Sequence, residues 1–166
     1  MLPASIAPSA APSAVATVRE LFADKIGDVL LELLQTARAN GASRVDVALI
    51  GTTGDQLLQI SDDGNGLDEP GAIFAYPLPR FGIFSLAGRD VIVRSWSHDA
   101  HQGWSAHITA GAWTGRRPIV ISPDPIRRGT SITFRMPAIP EAVMRAALTE
   151  AAALAGLSAH FDQRGV

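Results

Sequence analysis

The chain has 166 residues, 47% of them hydrophobic and 18% charged, with a formal net charge of -2; this is the profile of one soluble globular domain with a substantial core. The charge argues against a general nucleic-acid binder. The absence of cysteine excludes a disulfide framework and thiolate metal sites, and no apolar run reaches the length of a membrane span.

Residues 1–16, MLPASIAPSAAPSAVA, are rich in Ala, Pro and Ser and lack both a basic start and a compact apolar segment. They read as a disordered arm rather than a secretion signal, with the cytoplasm as the default location. Residues 17–157 read as the folded domain.

A helix is expected next. Ile26, Val29, Leu30, Leu33, Leu34 and Ala37 recur at three- and four-residue steps and make one apolar stripe. Asp24 is the expected N-cap, and Asn40-Gly41 the helix stop. Glu32 and Thr36, four apart at the edge of the stripe, face a common cleft.

Arg44 to Ile50 alternates, with Val45, Val47 and Leu49 on one face, and reads as a strand with one buried side. Gly51 to Asp55 is a turn, and Leu57 to Ser61 returns as a second strand. Gly64 and Gly66 then let the backbone bend sharply. Asp62 stands just before that bend, where its carboxylate can accept a hydrogen bond from an exocyclic amine. The same residue could instead cap the turn, and Glu32 with Asp62 could be an acid/base pair.

Further along, Val91 to Ser97 and Trp104 to Trp113 read as strands joined by the polar loop HDAHQG, followed by strands Ile119 to Ser122 and Thr130 to Met136. Pro140 to Leu157 reads as an alanine-rich helix. The tail at 158–166, SAHFDQRGV, looks like the start of another strand or domain. Together these elements predict an α/β sandwich, its mixed and mostly antiparallel sheet covered by helices on one face. His98, His101 and His107 read as solvated rather than metal-binding. The doublets Arg116-Arg117 and Arg127-Arg128 read as loop charge, and Trp104 and Trp113 as core or edge-strand aromatics.

An acid on a helix, then Asp-x-Gly-x-Gly after a hairpin, then FGIFSLAG, then Gly-Thr within GTSITF, is a motif order that resembles the GHKL ATPases: gyrase, the large heat-shock chaperone, histidine kinases and the mismatch-repair ATPase. The pattern looks most like the bacterial chaperone-type members, and it spans Asp24 to Met136. The resemblance implies a two-layer α/β sandwich of the GHKL type. It implies that Glu32 is the general base acting on water and that Asp62 binds the adenine amino group. Gly64 and Gly66 would shape the turn around the base, Gly82 would belong to the phosphate-side loop, and Gly129 and Thr130 would lie near the adenine. It also implies that related chains continue into a further domain beyond about this length.

Three departures accompany the resemblance. The family's Mg²⁺-ligating asparagine is replaced by Thr36, a shorter and weaker oxygen ligand. The stretch from Gly66 to Gly82 is short where relatives have a longer lid. Arg80 stands where a Gly-x-Gly begins. The expected function is therefore ATP binding, with Mg²⁺ as a candidate companion, and weak or absent hydrolysis coupled to conformational change. The alternatives are a catalytically inactive nucleotide sensor or protein-interaction module, and an anti-sigma or histidine-kinase-like phosphotransfer domain. The expected partners are an adenine nucleotide and a protein partner or second copy, with no membrane and no nucleic acid.

Overall fold

The computed structural model describes residues 1–8, 10–52, 55–75, 81–115, 117–137 and 139–164, with the side chains of Thr52, Asp55, Gln163 and Arg164 left undescribed. The described strands are β1 (Ser5–Ile6), β2 (Arg44–Thr52), β3 (Asp55–Asp62), β4 (Val91–Ser97), β5 (Gln102–Ile108), β6 (Ile119–Asp124), β7 (Thr130–Met136) and β8 (Ser158–Arg164). The helices are α1 (Pro12–Leu21), α2 (Ile26–Ala39) and α3 (Glu141–Ala155). The strands form one sheet in the order β1-β6-β5-β4-β7-β3-β2-β8, in which β2 and β8 run parallel and the other neighbours antiparallel.

Register explains why one side of this sheet is a core. Val47, Ile60, Ile132, Val93, Ala106 and Ile121 lie directly across from one another over six strands, and Leu49, Leu58, Phe134, Val91 and Ile108 make a second row two residues along. The rows between carry the opposite character: Asp46, Ser61, Ser131, Arg94, Ser105 and Ser122 are in register on the other face. A strand's period of two keeps these sets apart, so the apolar face must be covered. α2 covers it with Val29, Leu30, Leu33, Leu34 and Ala37, all buried, and α3 packs beside it with Met144, Leu148, Ala151 and Ala152. The expected two-layer α/β sandwich is the observed one.

Helix ends differ in detail from the sequence reading. The N-cap of α2 is Lys25, without a side-chain cap; Asp24 instead takes a left-handed backbone at φ 54°, which prevents it from capping. At the other end Gly41 alone is left-handed. Its N–H donates to Arg38 O at 3.0 Å and Ala42 N–H donates to Ala37 O at 3.0 Å, the Schellman closure that satisfies two orphan carbonyls.

Two larger differences have clear causes. The Ala/Pro/Ser-rich start is not an arm throughout: Ser5 and Ile6 pair with β6, and Pro12 opens α1, whose Val15 and Val18 are buried in the core with Phe22. That three- and four-residue apolar spacing outweighs the composition. The strand expected to run to Trp113 ends at Ile108, and Ala110–Trp113 is a 3₁₀ turn. Trp104, Ala106 and Ile108 face the core, so continued alternation would turn Trp113 outward. The 3₁₀ turn brings it in, fully buried, edge-on to Phe74 and Phe84 at 5.5 and 5.8 Å, with its indole N–H donated to Arg89 O at 2.7 Å. The tail forms β8 along β2, in the same sheet.

Candidate nucleotide site

Asp62 closes β3 two residues after Ile60, so its side chain falls on the core face, in the row that continues Val45, Asp62, Thr130, Ser95 and Trp104. Here the apolar row turns polar. Asp62 Oδ1 accepts from Gly64 N–H at 2.9 Å and from Thr130 N–H at 3.3 Å. Asp62 therefore does cap its turn, through one oxygen. Its Oδ2 has no hydrogen-bond partner among the described residues. Burial pushes the carboxyl above its ordinary range, against the lowering effect of the Gly64 and Thr130 donors.

The glycines around it are required by contact. A Cβ on Gly129, which has φ 68°, would be driven into the backbone carbonyl of Asp62, and one on Gly66 into the carbonyl of Trp96. A Cβ on Gly64 would lie 2.9 Å from Asn40 O, the same carbonyl that accepts Asn65 N–H at 2.8 Å. The closed end of α2 thus seats the Asp62–Gly66 turn, and the structure brings Asp62, Gly64, Gly66, Gly129 and Thr130 together.

Glu32, Thr36 and Gly82 form a second group. Glu32 Oε2 accepts from Phe81 N–H at 2.8 Å and Gly82 N–H at 3.0 Å, which ties α2 to the 3₁₀ turn Gly82–Leu86. Thr36 Oγ1 donates to Glu32 O at 2.9 Å within its own helix, and a Cβ on Gly82 would lie 3.1 Å from that hydroxyl. Glu32 precedes Asn40 by eight residues, so the two groups are set roughly 12 Å apart along α2. No hydrogen bond joins Glu32 to Asp62 among the described residues.

No family model and no curated protein matches the chain. Solved structures do. The ATPase domain of MutL from Aquifex aeolicus complexed with ADP is similar at a TM-score of 0.58, over 84% of this chain and 59% of that one, with 18% sequence identity. A variant of the same domain is similar at 0.56, over 84% and 56%, with 16% identity. The fold is that of these MutL ATPase domains. The chain spans just under three fifths of the length of these structures. Their likeness at this identity is one of fold.

Within this fold several supporting groups lie outside the motifs. Ser95, fully buried, accepts Leu67 N–H at 2.7 Å and shares a hydrogen bond of 2.8 Å with the Thr130 hydroxyl, while Trp104 donates its indole N–H to Leu67 O at 3.0 Å. Serines at the inward positions 95 and 97, following Val91 and Val93, were the available signal. Arg128, read as loop charge, donates to Asp63 O at 2.8 Å. Arg80 lies outside the described residues, as does Arg116.

Mg²⁺ does not fit well at Thr36. Thr36 offers a hydroxyl oxygen in place of an amide carbonyl, one Glu32 oxygen is engaged by Phe81 and Gly82, and the described residues contain no group of three or more His, Cys, Asp or Glu able to hold a metal, the histidines included. Three cavities of about 760, 730 and 630 Å³ are lined by other parts of the chain, none by Asp62 or Glu32. Around Glu32 the 3₁₀ residues Ile83, Phe84 and Leu86 are packed down into the core.

Asp63 holds the other side of the turn. Its carboxylate accepts Arg44 N–H at 3.0 Å, Ser43 N–H at 2.8 Å and the Ser43 hydroxyl at 2.8 Å, and these donors lower its pKa to about 2. A depressed carboxylate contributes stability that is fully present above its unfolded pKa of 3.8 and is lost as pH falls through about 2. The Asp63→Ala melting temperature should therefore lie below the parent's at neutral pH, and the difference should shrink as pH falls from about 4 to about 2. Melts across that range check it. A constant gap would mean that the donors do not discriminate the ionised form.

Proposed function

We propose that this chain is an adenine-nucleotide-binding domain with weak or absent hydrolysis. The observation that carries the reading is Asp62: one carboxylate oxygen is fixed by two backbone donors, the other is uncommitted, and glycines let the backbone close around the fixed one. An acceptor so held suits the 6-amino group of adenine and opposes the 6-carbonyl of guanine. The ADP carried by the similarly folded MutL domain supports the ligand class.

Weak turnover is supported by the second group. One Glu32 oxygen, Oε2, already serves as the tie to Phe81 and Gly82, and Thr36 supplies no amide carbonyl for a metal. The commitment of Glu32 equally favours a nucleotide sensor without turnover, which shares the binding step and differs only in phosphate release. Cytoplasmic location and a protein partner or second copy belong to the same reading. No described helix is long and apolar enough to cross a membrane.

Calorimetry tests it. ATP and ADP should bind about ten- to hundredfold more tightly than GTP, the span of one charge-assisted hydrogen bond. Affinity in the parent should differ little between Mg²⁺ and EDTA, whereas Thr36→Asn, which restores an amide oxygen one turn beyond Glu32, should make it Mg²⁺-dependent. Equal affinities for ATP and GTP would overturn the adenine assignment. A parent that already loses its affinity in EDTA would overturn the account of Thr36.

A further inference from the structure

At the end of the sheet away from Asp62, a cavity of about 730 Å³ opens between α1, the start of α2, the Gly88–Asp90 turn and the end of β7. β7 runs from Thr130 beside Asp62 to Met136 at this cavity, a separation of roughly 20 Å at the rise of a strand. Its volume is that of a small-molecule site.

Its lining is unlike the chain as a whole. Arg19, Lys25, Arg89 and Arg135 face two carboxylates, Asp24 and Asp90, in a protein whose formal charge is -2. One of the carboxylates is occupied, since Asp90 Oδ1 accepts Ala110 N–H at 3.0 Å. Arg19 is laid along the cavity by Gly88, where a Cβ would come within 2.9 Å of the Arg19 Cδ.

Arg89 is the key group. It is half-buried, its guanidinium lies 5.9 Å from the centre of the Phe134 ring, and one Nη2–H donates to Phe22 O at 3.1 Å. Its other N–H groups find no acceptor, and no carboxylate lies within ion-pair distance of it, among the described residues. Burial pulls its pKa below the ordinary arginine range, only partly offset by Asp24, and Arg19 acts in the same direction as burial. A half-buried guanidinium that forms no ion pair and is only partly offset by Asp24 is costly for a fold to keep. Asp24, with its left-handed backbone at φ 54°, also lines the cavity, and such conformations gather at ligand sites.

We propose that this cavity binds a small multivalent anion, phosphate- or carboxylate-bearing, held by Arg89 at the wall and by Arg19 and Lys25 at the mouth. The guanidinium fork matches either oxyanion in bidentate fashion. The site is separate from the proposed nucleotide site and does not depend on it.

Pyrophosphate and citrate, titrated calorimetrically into the full chain, test the proposal. Arg19 and Lys25 are exposed, so the double variant R19Q/K25Q should fold as the parent does, and its affinity for the bound anion should fall by about tenfold or more. Asp62→Ala should bind the anion as the parent does. Whichever probe binds more tightly assigns the source of the charge. Binding of neither probe, or undiminished binding in the double variant, overturns the proposal. A loss in Asp62→Ala equal to that in the double variant also overturns it, because the anion would then lie at the nucleotide site.

Discussion

Asp62→Asn is expected to exchange the base preference of the protein and to raise its melting temperature at neutral pH. Asp62 Oδ1 is the oxygen that accepts from Gly64 and Thr130, so an asparagine keeps its carbonyl there and places its NH₂ where Oδ2 now stands. A donor then faces the adenine amino group, also a donor, and ATP affinity should drop about ten- to hundredfold. The 6-carbonyl of hypoxanthine becomes the matching group, and ITP should bind the variant more tightly than ATP. The stability effect has a definite sign. Burial raises the Asp62 pKa in the fold, so the protonated group is the favoured one there, and the benefit of protonation is present below 3.8 and lost as pH rises through the folded value. Neutral asparagine never bears that loss. Its advantage should appear at neutral pH and close as pH falls toward the carboxylate range. Competition of ATP and ITP in parent and variant, with melts at two pH values, decides the matter. An unchanged preference would mean that Asp62 does not read the base.

Gly129→Ala should cost about twice as much as Gly156→Ala, or more, although their backbones match. Gly129 has φ 68° and Gly156 has φ 71°, so both alanines bear the left-handed penalty of about 1–2 kcal/mol. Gly156 follows α3 with nothing within 4 Å of a new Cβ, whereas at Gly129 that carbon would be forced into the Asp62 carbonyl. Overpacking adds about 1–3 kcal/mol, more where the obstacle is backbone. The expected loss is therefore about 1–2 kcal/mol at Gly156 and at least about 3 kcal/mol at Gly129, roughly 4 °C against 10 °C in melting temperature. Gly129→Ala should also lose nucleotide binding, because β3 must move with Asp62. Equal losses would show that the wall at Asp62 yields.

The core was legible in the sequence wherever a single period ran long enough. α2 shows five buried residues of its apolar stripe, and β2 shows Val45, Val47 and Leu49 buried as their alternation required. The grouping of Asp62 with Gly129 and Thr130 was legible only through motif order, since 68 residues separate Asp62 from Thr130 and nothing local links them. What stayed hidden were the effects of parity and closure. Trp113 looked like a strand residue because tryptophan itself favours strands, and its inward turn depends on Phe74 and Phe84 from distant segments. Glu32 reads from sequence as a free acid. Its two backbone donors come from Phe81 and Gly82, 49 and 50 residues away, and backbone donors leave no trace in residue identity. The α1 stripe of Val15, Val18 and Phe22 was present in the sequence but masked by the Ala/Pro/Ser composition around it.

α2 acts as a ruler. Its fixed rise sets how far the acid at Glu32 stands from the turn that its last residues seat. One residue inserted between Glu32 and Asn40 would lengthen the gap by about 1.5 Å and also swing Glu32 by about 100° away from Phe81 and Gly82. Length can therefore change in whole turns or not at all here.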